Sequence, residues 1–148
     1  MGGFVHIRDE KIALTGDILK CGSEEDTQVL HRVVKGLKEK RESIYSSYIG
    51  AILNMNWDAA SFNSTVSFPI TPALFNSLRI VHGGVTATMI DSAMRILANQ
   101  LVPEGYGAVT NQLNVHYIAT IRGGKMTSTA NLLHQGNRTI ALEGGYSL

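Results

Sequence analysis

Apolar positions along this chain fall into two helical stripes and several alternating runs. Val29, Leu30, Val33, Val34 and Leu37 recur at helical spacing while Lys35, Lys38, Glu39 and Lys40 fall on the other side, which predicts a helix over 24–47. Ser23, with Asp26 three residues on, supplies a capping box at its start. A second helix is expected over 83–101, closed by Pro103 and Gly105. Strands are expected at 48–56 and 61–69, with Trp57-Asp58-Ala59-Ala60 turning between them. Pro69 and Pro72 make 71–81 a loop. Over 109–119, Leu113, Val115 and Tyr117 alternate with Gln112, Asn114 and His116, which predicts a strand. A hairpin of 126–134 and 138–148 is expected around Gln135-Gly136-Asn137, and a smaller one at the start from 4–8 and 11–15.

A helix of small and apolar residues among strands predicts an α+β fold, with that helix buried against an antiparallel sheet. The 148 residues are expected to form one domain: 1–19 as leader or hairpin, 24–47 as an N-terminal helix, 48–148 as the core. Composition is ordinary, at 44% hydrophobic and 17% charged. A formal net charge of +1 offers no electrostatic footprint for nucleic acid. No apolar run approaches the roughly 18–20 residues of a membrane span, and no secretory signal core opens the chain. The single cysteine, Cys21, fits a reducing compartment, so a cytoplasmic setting without nucleic-acid or membrane partners is expected.

Candidate chemistry concentrates in His82-Gly83-Gly84-Val85-Thr86-Ala87-Thr88-Met89-Ile90-Asp91. Two glycines at a helix start let a ligand approach free N–H groups at the positive end of the helix dipole. Asp91 is the only acidic residue between Asp58 and Glu104. Donors for a developing oxyanion, followed by one isolated carboxylate, suggest acyl chemistry. The same residues allow plainer readings. Asp91 and Arg95 are spaced for a helix-surface ion pair, Gly83 and Gly84 for close helix packing, His82 for a cap and Asn76 for a loop turn. The five histidines show no close pairing, so no metal site is expected.

With Asn76 six residues before His82, Asp91 nine after it and a strand following, the segment resembles the signature of hotdog-fold acyl-CoA thioesterases of the phenylacetate-pathway and thioesterase superfamily member type, over about 44–148. The resemblance implies a long central helix wrapped by a curved antiparallel sheet, with an additional N-terminal helix. It implies hydrolysis of an aromatic or medium-chain acyl-CoA, the thioester being the substrate and no cofactor being needed. Asp91 would be nucleophile or general base and the Gly83 N–H the oxyanion donor, with Asn76, His82 and Thr110 in support. The alternation puts Thr110 opposite the Leu113–Tyr117 face, so its role needs a bulge or a twist. Gly84 would permit close approach, and Arg122, Lys125 and Arg138, beside turns, would meet the coenzyme A phosphates. Such proteins run on past the equivalent of Leu148 into a closing strand. Residues 5–16 resemble that hairpin displaced to the N-terminus, the other reading being a leader.

Gly83 and Asp91 are eight residues apart on one helix, about 12 Å along its axis, too far for one carbonyl to touch both. Each site should therefore combine two subunits, in a homodimer that the family often doubles into a dimer of dimers. The alternatives are a hotdog module that senses acyl-CoA without turnover, a hotdog dehydratase and an inactive relative.

Overall fold

The computed structural model describes residues 2–147. The chain, expected as one domain, divides into two compact units, Met1–Ile52 and Leu53–Leu148. In the first, α1 spans Gly2–Cys21, α2 Glu24–Arg41 and α3 Tyr48–Leu53, whose last residue already belongs to the second unit. The second holds β1 (Asn56–Ala60), β2 (Asn63–Pro69), a 3-10 turn (Pro72–Leu74), α4 (Gly83–Leu101), β3 (Lys125–Gln135) and β4 (Ile140–Ser147).

Local chemistry explains the ends of α2. The Ser23 hydroxyl accepts from the Asp26 N–H at 3.1 Å, and the Asp26 carboxylate accepts from the Ser23 N–H at 2.9 Å. Hydrogen bonds from Ser23, its hydroxyl first, hold the Asp26 carboxyl below its usual range. The helix stops at Arg41, short of the expected 47, because Ser43 takes a positive φ of 62° and the Glu42 N–H folds back onto Lys38 and Lys40. Arg32 then ties α2 to α3, pairing with Glu39 and donating to the Ala51 carbonyl at 2.9 Å.

Four expectations need correction. The N-terminal hairpin, and with it the displaced closing strand, is replaced by α1. Asp9-Glu10 lacks the positive-φ residue a tight hairpin needs, and a lone two-stranded ribbon is marginal, whereas a helix satisfies its backbone locally. The strand over 48–56 is mostly α3, since Ser47 accepts from the Gly50 N–H and Asn54, at φ 54°, ends the helix. Trp57-Asp58-Ala59-Ala60 is strand β1 rather than a turn, and the chain reverses at Ser61-Phe62. Residues 109–119 join no ladder among the described residues; Leu113 and Val115 are half-buried and Gln112, Asn114 and His116 exposed as the alternation predicts, but Tyr117, expected on the apolar face, is exposed. A strand exists only through its partner, and this segment has none among the described residues. Leu148, expected as the last strand residue, lies outside the described residues.

The remaining expectations of the second unit hold. Its strands form an antiparallel sheet in the order β1-β2-β3-β4, with α4 packed against β2, β3 and β4. Thr86, Met89, Ile90, Ala93 and Leu97 put the buried stripe of α4 on that sheet, against Val66 and Phe68 of β2 and Met126 and Ala130 of β3. Burial of each large side chain in this layer contributes about 1.5–3 kcal/mol. Ser64, 1% exposed, donates to the Ala93 carbonyl at 2.6 Å, so its buried hydroxyl is satisfied and tethers strand to helix. Among the described residues no helix is long and apolar enough to cross a membrane.

Two adjacent glycines of β4 test this packing. A Cβ on Gly144 would meet the Thr129 carbonyl at 2.9 Å and the Met94 methyl at 3.1 Å, whereas one on Gly145 meets nothing within 4 Å. Gly144→Ala should lower stability by about 1–3 kcal/mol in urea titrations, through overpacking. Gly145→Ala should raise it by about 0.5 kcal/mol, because a strand glycine has more chain entropy to lose. Equal shifts for the two would contradict the packing of α4 over β4.

Candidate active site

The approach to α4 is a loop organised by Asn76. Its side-chain oxygen accepts from the N–H groups of Leu78 at 2.9 Å and Ile80 at 3.4 Å, while its backbone N–H donates to the Ile80 carbonyl at 2.9 Å. This Asx-type turn uses up the carboxamide oxygen and leaves its NH2 with no protein partner among the described residues. The loop is then pinned on both sides. The Val81 N–H donates to the Ile121 carbonyl and the His82 N–H to the Leu74 carbonyl, each at 2.8 Å.

His82 is the N-cap of α4, and its Nδ1 accepts from the Gly84 N–H at 2.9 Å. The His82 carbonyl accepts from Val85 at 2.9 Å and Thr86 at 3.3 Å. Of the four N–H groups that open a helix without an intrahelical partner by rule, three are thus accounted for. Only the Gly83 N–H has no partner among the described residues, and it stands at the positive end of a 19-residue helix. Both glycines ease close approach. A Cβ on Gly84 would meet His82 Nδ1 at 3.1 Å, and one on Gly83 would meet the Tyr117 ring at 3.3 Å.

A cavity of about 570 Å³ opens beside this helix start, lined by Asn76, Ile80, Val81, Gly83, Thr86 and the stretch from Tyr117 to Ile121. Its polar end presents donors, and Ile80, Val81, Ile118 and Ile121 make the remainder apolar. Such a lining suits a polarised carbonyl with an attached hydrocarbon group.

Asp91 does not line this cavity. It lies two turns further along α4, half-buried, and accepts from the Thr110 hydroxyl at 2.6 Å. Thr110 precedes the alternating run, in irregular chain, so it reaches Asp91 without the bulge its strand placement demanded. Asp91 forms no ion pair with Arg95, whereas Arg32 and Lys35 pair with Glu39, and Lys38 with Glu42.

One chain therefore brings Asn76, His82, Gly83 and Gly84 together in one cluster and Asp91 with Thr110 in another. Of the basic residues, Arg122 and Lys125 are exposed beside Gly124, where φ is 90°. Arg138 is exposed at the opposite end of the β3–β4 hairpin, and the 11 residues of β3 put about 33 Å between the two ends. Among the described residues no three His, Cys, Asp or Glu side chains come together as a metal site would require. Tyr117 and Thr86 line the cavity although the sequence marked neither. Tyr117 had counted only as one apolar position of an alternating face, and its phenolic hydroxyl was the available signal.

Comparison with known proteins agrees with this architecture. The model of the Thioesterase superfamily matches residues 78–144, the stretch that contains α4 and Asp91. The BH2602 protein from Bacillus halodurans, solved with CoA, is 34% identical, with 92% of this chain and 88% of that chain covered and a TM-score of 0.84. A mutant of thioesterase PA1618 from Pseudomonas aeruginosa shares the fold at 23% identity and a TM-score of 0.65, over 75% of this chain and 81% of that one. A mutant of the thioesterase SAV0944 from Staphylococcus aureus does so at 19% identity and a TM-score of 0.65, over 68% and 84%. No match is found among curated proteins. A long helix entered through His82-Gly83-Gly84 and packed on a four-stranded antiparallel sheet is thus the hotdog fold, and the chain belongs to the thioesterase superfamily.

Proposed function

We propose that this protein hydrolyses the thioester bond of an acyl-CoA carrying an aromatic or medium-chain acyl group. The observation that carries the reading is the half-buried Asp91 carboxylate, held by the Thr110 hydroxyl at 2.6 Å and not neutralised by Arg95. A carboxylate oriented through one oxygen keeps the other for chemistry. That oxygen attacks the thioester carbonyl or removes a proton from the water that does. Negative charge then collects on the carbonyl oxygen, where the Gly83 N–H and the Asn76 NH2 donate to it. Collapse of the tetrahedral intermediate breaks the C–S bond. In the general-base route the free acid forms, and the proton held by Asp91 passes to the departing thiolate. In the nucleophile route the thiolate takes a proton from solvent water, and the acyl group stays on Asp91 as a mixed anhydride, which a water molecule then hydrolyses.

Catalytic hydrogen bonds span about 3 Å, whereas Gly83 and Asp91 stand about 12 Å apart along α4. We therefore assign the oxyanion donors of each site to one subunit and Asp91 with Thr110 to another, in a homodimer that can pair into a tetramer. The unpaired segment 109–119, with Val109 and Ile118 about nine-tenths exposed, is a surface such a subunit would cover. Coenzyme A bound to the BH2602 relative supports the choice of thiol. With about 33 Å between them, Arg122 and Lys125 of one subunit and Arg138 of the other would meet the nucleotide phosphates. A cytoplasmic setting accords with the exposed free thiol of Cys21.

Coenzyme A release from a panel of aromatic and aliphatic acyl-CoA esters tests the reading, in a Cys21→Ser background because the exposed thiol would react with a thiol reagent. Asp91→Asn should lower kcat at least about a hundredfold, the scale of a lost general base or nucleophile. Thr110→Val should lower it by about tenfold, by freeing the carboxylate from its hydrogen bond. Turnover in Asp91→Asn within a few-fold of wild type would contradict the proposal. Binding of the esters without turnover by the wild type would instead describe a sensor.

A further inference from the structure

The peptide group joining Gly83 to Gly84 is held at both ends. Its N–H donates to His82 Nδ1 at 2.9 Å, and its carbonyl accepts from the Tyr117 hydroxyl at 3.2 Å. On either side stands a glycine, so no Cβ restricts rotation of this peptide plane. It also lies in the first helical turn, where helices fray most readily. Alongside the helical bond from the Ala87 N–H to the Gly83 carbonyl, these two side-chain hydrogen bonds therefore help set the plane. The Gly83 N–H is one Cα away, so any rotation of the plane disturbs the helix start that aims this unpartnered donor.

Tyr117 is not placed there by core packing, for it is 57% exposed. Its ring instead lies against the Gly83 α-carbon, with ring atoms 3.3 and 3.4 Å from where a Cβ would stand, and it lines the same cavity as Gly83 and Asn76. We infer that Tyr117 is a positioning residue of the site. Its hydroxyl fixes the Gly83–Gly84 peptide against His82, and the fixed peptide aims the Gly83 N–H at the carbonyl oxygen of the substrate. This rests on the thioesterase reading. Preorganisation of an oxyanion donor acts on the transition state more than on bound substrate, so its loss is read in kcat rather than KM.

Tyr117→Phe removes the hydroxyl and keeps the ring. The variant should lose about tenfold in kcat with KM within twofold of wild type, since a donor is misaimed and not deleted. Its melting temperature should stay within about 3 °C, because a single hydroxyl-to-carbonyl hydrogen bond contributes little net stability. Independently of turnover, the amide resonances of Gly83 and Gly84 should shift in the variant's nitrogen–proton NMR spectrum. A kcat within twofold of wild type, or a fall in kcat/KM carried by KM alone, overturns the positioning role. Unmoved glycine amides overturn the clamp itself. If the wild type turns over no ester, the thioesterase reading falls and takes the catalytic half of this inference with it, while the amide signals still decide whether Tyr117 sets the peptide.

Discussion

A helix begins with N–H groups that its own turns cannot satisfy, and the rest of this site depends on how α4 satisfies all but one of them. His82 supplies two acceptors, its ring nitrogen for Gly84 and its carbonyl for Val85 and Thr86. Gly83 is left over, at the point where the helix dipole is most positive. Glycine at both positions lets two rings come close, His82 to Gly84 and Tyr117 to Gly83. The arrangement also requires the preceding loop to arrive at a fixed angle, which Asn76 and the Val81–Ile121 and His82–Leu74 hydrogen bonds secure. A single unsatisfied donor in a partly apolar cavity is worth more to a developing oxyanion than the same donor in water, because less solvent competes for it.

The helix can carry such a site only because the sheet holds it. Ala93 and Gly144 are small where α4 crosses the strands, and Ser64 binds the Ala93 carbonyl instead of presenting a larger side chain. Phe68, Met89, Leu97 and Met126 fill the layer between helix and sheet, and none of their surface reaches solvent. The same helix sets the distance between the donor cluster and Asp91. No adjustment of side chains within one subunit closes a gap of about 12 Å, because eight helical steps fix it. In the proposed composite site, the rigidity that preorganises each half is also why the second half comes from another subunit.

How far this could be read from sequence depended on whether the determining contacts were local. α4 was legible to its ends, since an apolar stripe lies within it and a histidine–glycine start and a Pro103 stop stand at its ends. The capping box of α2 was legible for the same reason. β3 and β4 followed from a turn and an alternation. By contrast, α3 resembled a strand because Tyr48-Ile49-Gly50-Ala51-Ile52-Leu53 has no helical period. Its helical state comes from the Ser47 cap and from Arg32 binding the Ala51 carbonyl. The first segment resembled a hairpin because alternation over five residues cannot separate strand from helix. At the site, His82, Gly83 and Asn76 stood in one readable segment. The Thr110–Asp91 hydrogen bond spans 19 positions, and only family resemblance paired them. Tyr117 was hidden because alternation assigns a face but not a hydrogen bond across 34 residues.

On the proposed reading, two half-sites on different chains make one catalytic centre. The most direct measurement co-expresses Asn76→Ala and Asp91→Asn chains under different affinity tags, purifies the doubly tagged species together with the parental dimers, and follows coenzyme A release. Each variant alone should be nearly inactive. The co-expressed pool should recover roughly a quarter of wild-type activity, because half of randomly paired dimers are mixed and each mixed dimer holds one intact site. A pool no more active than the two variants measured separately would place donors and carboxylate in the same subunit and contradict the composite site.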